Sequence, residues 1–491
     1  MKNVPEIKLG IVAVSRDCFP IELSQNRRQA VIKECEKKSV PIAEIQTIVE
    51  NETDSLKALD EIHNNEINAL VIYLGNFGPE GPTTILAEKF HGPVMFVAAA
   101  EETGQNLIDG RGDAFCGMLN TSYNVGLRNL SPYIPSYPVG LPDEIASMID
   151  DFIPLARVIV GLRSLKIFSF GPRPQDFLAC NAPIKPLYDL GIEIMENSEL
   201  DLYDCYLSAE KDPRIEEVVQ QMAAELGSGN TYPDLLFKLA QYEIALLDFM
   251  QENLGASKYG IFANKCWPAF EKFFGFVPCF VNSRLATQGI PVSCEVDIYG
   301  ALSEYMGCCA SLLPTTLLDI NNTVPTDMVD ANNAAASYKP SDLFMGFHCG
   351  NTPSSCMANH TMQHQLIMHR LLEPDQEPDI TRGTLEGRIR QGDITIFRLQ
   401  STADAKLRAY VADGKVLDMD PQSFGGIGVI AVHELGRFYR HVLIEKRFPH
   451  HTAVAFARSG KTLFDAFKMM GVGEVSFNLP NSIYYPTENP F

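Results

Sequence analysis

This sequence has a single tryptophan and no pair of cysteines at Cys-x-x-Cys spacing among its 491 residues. Its twelve cysteines are scattered and read as reduced, small core residues. Long apolar runs are missing too. The stretch 93–100 is far short of the roughly 20 residues that cross a bilayer, so no membrane span is expected. The opening residues, 1–6, lack a signal-peptide apolar core, which points to a cytoplasmic protein. Basic residues are few: 40 Lys and Arg stand against 61 Asp and Glu, a net charge of −21. That balance repels nucleic acid and anionic membrane surfaces, so neither is expected as a partner. Solenoid repeats and low-complexity tracts are absent. The glycines at 425, 426 and 428 do not match the G-x-G-x-x-G fingerprint and read as a turn.

What is present is an ordinary globular composition, 46% hydrophobic and 21% charged, over a length that calls for two or three domains. Apolar strand-like runs at 8–14, 69–74 and 93–97 alternate with helical segments such as 24–38. Continuous apolar strands between helices predict a parallel, doubly wound sheet. Ligands of such sheets meet the loops after the strand C-termini, which places Arg16 and Asn76 for ligand contact. A long helix is predicted over 142–163, kinked at Pro154. The strand–loop–helix pattern restarts at 164–173, and an amphipathic helix is predicted over 233–253. Residues 331–340 read as a linker. Beyond them the texture changes to short strands at 383–390 and 393–399, joined at residues 391–392, with more near 408–411 and 429–432. Helices near 433–444 and 461–470 complete this part. The expected architecture is α/β: two doubly wound, Rossmann-like domains at 1–164 and 165–335, then a β-rich antiparallel or barrel domain at 336–491.

The stretch 289–302 organises the rest. An apolar run delivers Glu295 and then turns helical, and 24 positions later Asp319 lies in a second aliphatic run. An unpaired charge among aliphatic neighbours is costly, and a metal cation is the simplest partner for two acids. His450 and His451 precede an apolar strand, and His348 follows another. Most such imidazoles are core-edge or surface groups. Together with the carboxylates they make a donor set for a divalent ion such as Mn2+. Other features carry less. Trp267 is a core aromatic or a sugar-stacking face. Residues 171–173 form a strand-to-helix turn that could hold an anion. Asp297 is a supporting acid or a helix N-terminal residue. Cys308 and Cys309 lack metal-ligand spacing and read as packing.

The Glu295–Asp319 pair, the late His450-His451-Thr452 motif, the Arg16 loop and the order of the domains resemble the superfamily of L-fucose and L-arabinose isomerases. The likeness covers nearly the whole chain in layout, although its specific motifs are short. It implies a metal-dependent aldose–ketose isomerase with Glu295, Asp319 and His451 as ligands, Glu295 and Asp319 also serving catalysis. His348 would be a fourth ligand or a substrate donor. Arg16 and His450 would be substrate contacts, Arg16 across a subunit interface. An Asp at 319 is fucose-like, whereas the His pair is closer to the arabinose pattern, and the sugar stays open. The C-terminal part is shorter than in fucose isomerases. Members of the superfamily are oligomers, often hexamers, so a homo-oligomer acting on a small sugar is expected. No nicotinamide or flavin is needed, because a proton moves between C1 and C2 through a cis-ene-diol. The alternatives are a non-catalytic sugar-binding protein, or a metal-dependent epimerase or aldolase on the same site.

Overall fold

A computed structural model describes residues 1–369 and 381–491. The chain forms two compact units. One comprises residues 5–160 with 465–471, and the other residues 1–4, 161–464 and 472–491.

The first unit holds a five-stranded sheet in the order β2-β1-β3-β4-β5, with β1 Leu9–Val14, β2 Ala43–Glu44, β3 Ala69–Leu74, β4 Val94–Ala99 and β5 Val139–Gly140. Every neighbouring pair is parallel. The three apolar runs that announce parallel strands are β1, β3 and β4, and each is buried along its whole length. Burial on both faces is what a sheet covered by helices on either side requires. The helix expected at 24–38 runs Ile21–Lys37, and the long one runs Pro142–Leu162 with Pro154 inside it. The helix Ala114–Leu127 buries Ala114, Met118, Thr121 and Val125. It leaves Phe115, Leu119, Tyr123 and Leu127 exposed at four-residue spacing.

The second unit contains two sheets. Its parallel sheet has the order β7-β6-β8-β9, built from β6 Leu165–Phe170, β7 Glu193–Asn197, β8 Tyr259–Ala263 and β9 Val292–Ser293. The expected amphipathic helix lies at Leu236–Asn253. Its Leu239, Tyr242 and Leu246 pack into a core with Phe168, Phe262 and Phe270. Each such side chain contributes about 1.5–3 kcal/mol by leaving water.

The larger sheet comprises β10 Thr315–Asn322, β11 Leu343–His348, β12 Thr361–His364, β13 Arg382–Arg388, β14 Gly392–Ser401, β15 Leu407–Val416, β16 Gly426–Ala431, β17 His451–Ala455 and β18 Glu474–Phe477. Their order is β12-β13-β16-β11-β10-β17-β14-β15-β18, and a further β15–β16 pairing closes six of them into a ring. Alternate residues of the ring strands, among them Leu318, Phe344, Ile396, Tyr410, Ile430 and Val454, gather in one core. The sheet is largely antiparallel, with parallel pairs at β13–β16 and β15–β18.

Two strand placements go beyond what the turn and run pattern indicates. The strands on either side of residues 391–392 are not partners. β13 pairs with β12 and β16, while β14 forms a ten-residue hairpin ladder with β15. A turn signal shows where the chain bends, and the ladder is chosen by which apolar faces can be buried together. The strand carrying Asp319 also belongs to this large sheet rather than to the parallel sheet that leads to Glu295. Among the described residues, no helix is long and apolar enough to cross a membrane.

Candidate active site

Five ionisable side chains from distant parts of the sequence converge in the second unit. β10 and β17 are antiparallel neighbours with Asp319 directly opposite His451. The same register sets Asp319 across from Phe347, one residue before His348. Glu295 arrives from the other sheet, in the tight turn Cys294–Val296 after β9. His451 Nε2 lies 3.6 Å from Glu295 Oε2 and 3.5 Å from Asp319 Oδ1. His348 Nε2 lies 4.0 Å from Glu295 Oε2. His450 is half-buried at the rim, its Nε2 3.6 Å from Asp319 Oδ1. The two acids and three imidazoles singled out in the sequence are therefore neighbours.

The backbone at Glu295 is itself unusual. Glu295 (φ 58°) and Val296 (φ 54°) both occupy the left-handed region. That region costs a β-branched residue of order 1–3 kcal/mol and persists only where the surroundings over-determine it. The turn aims the Glu295 carboxylate at the imidazoles. Glu295 is 9% exposed, and its Oε2 is buried without a hydrogen-bond partner. Burial pushes this carboxyl up to about 7, against the pull of His451 and His348. An orphaned buried carboxylate oxygen facing another acid and imidazole nitrogens is an environment that a cation satisfies. The donor chemistry, carboxylate oxygens with imidazole, suits a divalent first-row ion.

His451 is oriented from behind. Its Nδ1 lies 2.8 Å from Asp297 Oδ2, leaving Nε2 toward the two acids. Asp297 is held in turn by Arg398, whose Nη1 and Nη2 each lie 2.8 Å from a carboxylate oxygen. Both partners are essentially unexposed. Burial alone would lift the Asp297 carboxyl. The Arg398 guanidinium and the His451 bond outweigh it and hold the group well below the usual carboxylate range. Asp297 also caps the helix Ile298–Ser311 by accepting from the Gly300 N–H at 2.9 Å, so it is both the supporting acid and the helix N-terminal residue. A Cβ at Gly300 would come within 2.6 Å of Asp297 Oδ2, and glycine leaves the carboxylate its room. The loop 171–184 lies against the imidazoles: Phe177 packs edge-on to His450, and Cys180 Sγ is 3.7 Å from His451 Nδ1.

Arg398, Cys180, Phe177 and Cys294 were not singled out in the sequence. Arg398 had a signal, because a lone arginine inside the apolar strand β14 demands a buried acid. The other three have none. Arg16 and Asn76 belong to the other unit, where they meet each other. Asn76 Oδ1 accepts from the Arg16 N–H at 3.0 Å and from Gly78 at 3.1 Å, while Nδ2 donates to Ser15 at 2.9 Å. The Arg16 guanidinium stands 5.1 Å above the Phe77 ring. Trp267 is half-buried against Cys266, Val277 and Cys279.

Comparison with known proteins gives the family. Residues 10–163 match the fucose/sulfoquinovose isomerase N-terminal domain, and residues 346–476 match the L-fucose isomerase C-terminal domain. The chain belongs to the fucose isomerase-like family and is an aldose–ketose isomerase. Among its relatives are the sulfoquinovose isomerases of Priestia aryabhattai and Priestia megaterium, each 24% identical over 94% of this chain and 97% of the relative. The sulfoquinovose isomerase of Alkalicoccus urumqiensis is 26% identical over 74% of each chain.

Proposed function

We propose that this chain is a divalent-metal-dependent isomerase of a modified sugar, with sulfoquinovose, a sulfonated hexose, as the first substrate to test. Glu295, Asp319 and His451 hold the ion, and His348 completes the set or donates to substrate. The observation that carries this reading is the partnerless buried oxygen of Glu295, set 3.6 Å from an imidazole nitrogen that Asp319 also faces. A bound Mn2+ would supply Lewis-acid stabilisation of the charge that develops on the sugar's O1 and O2.

The chain's own residues do the rest. Glu295 takes the proton from C2 of the aldose, and the electron pair becomes the C1–C2 double bond of the ene-diol. The same carboxyl returns the proton to C1, while Asp319 serves the hydroxyl proton that moves between O2 and O1. No net redox partner is consumed. Asp297 and Arg398 keep His451 in one tautomer and one orientation. His450, at the rim, is a substrate contact in this reading. Burial and the neighbouring His451 push it down to about 4, so at neutral pH it offers a neutral imidazole. Arg16, Asn76 and Trp267 remain proposed sugar contacts. The boundary near residue 164 goes with the same reading.

We also read the protein as a homo-oligomer, a hexamer by family likeness. The exposed stripe Phe115, Leu119, Tyr123 and Leu127 supports an apolar helix face that a second copy covers. A cytoplasmic location accords with twelve cysteines that form no disulfide. The deciding experiment is a substrate panel of sulfoquinovose, L-fucose and L-arabinose with chelated and Mn2+-supplemented enzyme. Conversion of sulfoquinovose to its ketose only with added ion supports the proposal. Equal rates in chelator would remove the metal, and conversion of the other sugars alone would reassign the substrate.

A further inference from the structure

The donors around Glu295 divide into two overlapping groups. Asp319, His348 and His451 bring ligand atoms within 4.8 Å of one another on one side. On the other side Cys294, Glu295 and His348 do the same. Cys294 is completely buried, and His348 is 4% exposed. Glu295 Oε2, which has no hydrogen-bond partner, lies 4.0 Å from His348 Nε2 and 3.6 Å from His451 Nε2, a member of the first group. Cys349 Sγ sits 3.6 Å from His348 Nδ1 and helps hold the ring with Nε2 toward Glu295. The Asn351 side-chain amide approaches Cys294 Sγ at 4.0 Å and steadies the thiol.

We infer that Cys294, Glu295 and His348 form a second cation site, selective for soft ions such as Zn2+ or Cd2+, that cannot be filled together with the catalytic one. This rests on the proposal that Glu295, Asp319 and His451 hold the catalytic ion. The physical reason is ligand softness. A thiolate draws Zn2+ or Cd2+ and offers little to Mn2+, whose preference is for carboxylate oxygen and imidazole. Both groups use His348, whose Nε2 can ligate one ion at a time, and that makes occupancy exclusive. Filling the soft site exchanges the Cys294 thiol proton for the metal, and the proton goes to solvent. No electron is transferred. An ion seated there draws Glu295 away from Asp319 and blocks turnover, so thiophilic ions act as dead-end competitors of the catalytic ion.

The test is a double dissociation on the full-length, chelator-stripped protein. Cd2+ is titrated against the ultraviolet thiolate-to-cadmium charge-transfer band, read at the first equivalent. Mn2+ is titrated by electron paramagnetic resonance. The wild type gives both signals. Cys294→Ser, with Cys294→Ala as a second variant, loses the cadmium band at least tenfold and keeps Mn2+ binding. Asp319→Asn keeps the cadmium band and loses Mn2+ affinity at least tenfold. Far-ultraviolet circular dichroism establishes that each variant is folded. A cadmium band undiminished in both Cys294 variants overturns the site, and so does equal loss of both signals in Asp319→Asn. Absent Mn2+ binding in the wild type would remove the catalytic-ion proposal, while the cadmium arm would still decide whether the soft site exists.

Discussion

Asp297 Oδ2 stands 2.8 Å from His451 Nδ1, and that contact decides which nitrogen of the ring faces Glu295 and Asp319. An Asp297→Asn change keeps the shape and removes the charge that fixes the tautomer. Loss of such a supporting carboxylate typically costs 10–100-fold in metal affinity. Calorimetric titration of Mn2+ should show a drop of about that size, with the fold intact by circular dichroism. Unchanged affinity would show that the ring needs no such support.

Arg398 is the counterion of that acid, and neither has water to fall back on. Arg398→Met leaves the Asp297 carboxylate buried and uncompensated, which costs about 3–5 kcal/mol. Urea unfolding should show a lower midpoint and an unfolding free energy reduced by that amount. The double variant Asp297→Asn/Arg398→Met should recover part of the loss, since it removes both charges.

Glu295→Gln and Asp319→Asn should each lower kcat by at least about 100-fold, the lower end of what a positioned acid–base group supplies. Glu295→Gln should not destabilise the protein. Burial pushes this carboxyl up to about 7, so above that pH the folded state bears an unfavourable ion that glutamine lacks. A melting temperature at pH 8 below that of the wild type would contradict this.

Glu304 gives a second pH signature. It is 2% exposed, accepts from Ser293 Oγ, and is pushed up to about 8 by burial. A folded-state value above the unfolded one means that the native state binds more protons between roughly 4.3 and 8. The stability from this group is therefore full below that window and declines as pH rises through it. Each tenfold change in proton affinity is worth about 1.4 kcal/mol. Glu304→Gln should melt higher than the wild type at pH 8.5 and lose that advantage at pH 5.

The apolar stripe on the helix Ala114–Leu127 predicts an assembly defect. Leu119 is 64% exposed and Tyr123 is 68% exposed, so neither contributes to the core of its own unit. Leu119→Asp with Tyr123→Asp should shift the mass measured by light scattering toward the monomer, with little change in the unit's own melting. An unchanged mass would place the subunit contact elsewhere.

Much of the scaffold was legible because parallel strands buried on both faces announce themselves as unbroken apolar runs, as at Ala69–Leu74. The carboxylates were legible for the same reason in reverse: Glu295 and Asp319 each interrupt an aliphatic stretch. Strand partnership in the large sheet was harder. The bend at residues 391–392 marked where two strands join and named no partner, and β14 finds its partners in β15 and β17. Arg398 was a visible anomaly whose partner, 101 positions away, no local pattern names.

The order and type of the elements, the aliphatic setting of the two acids and the presence of a late imidazole pair were fixed by local chemistry, because burial and helix or strand periodicity act over a few residues. The left-handed turn that aims Glu295, the register that sets Asp319 opposite His451 and the Arg398–Asp297 clamp were decided only by the tertiary structure. Each depends on surfaces brought together from distant parts of the chain, where the cost of burying a charge is settled by whichever partner the fold supplies.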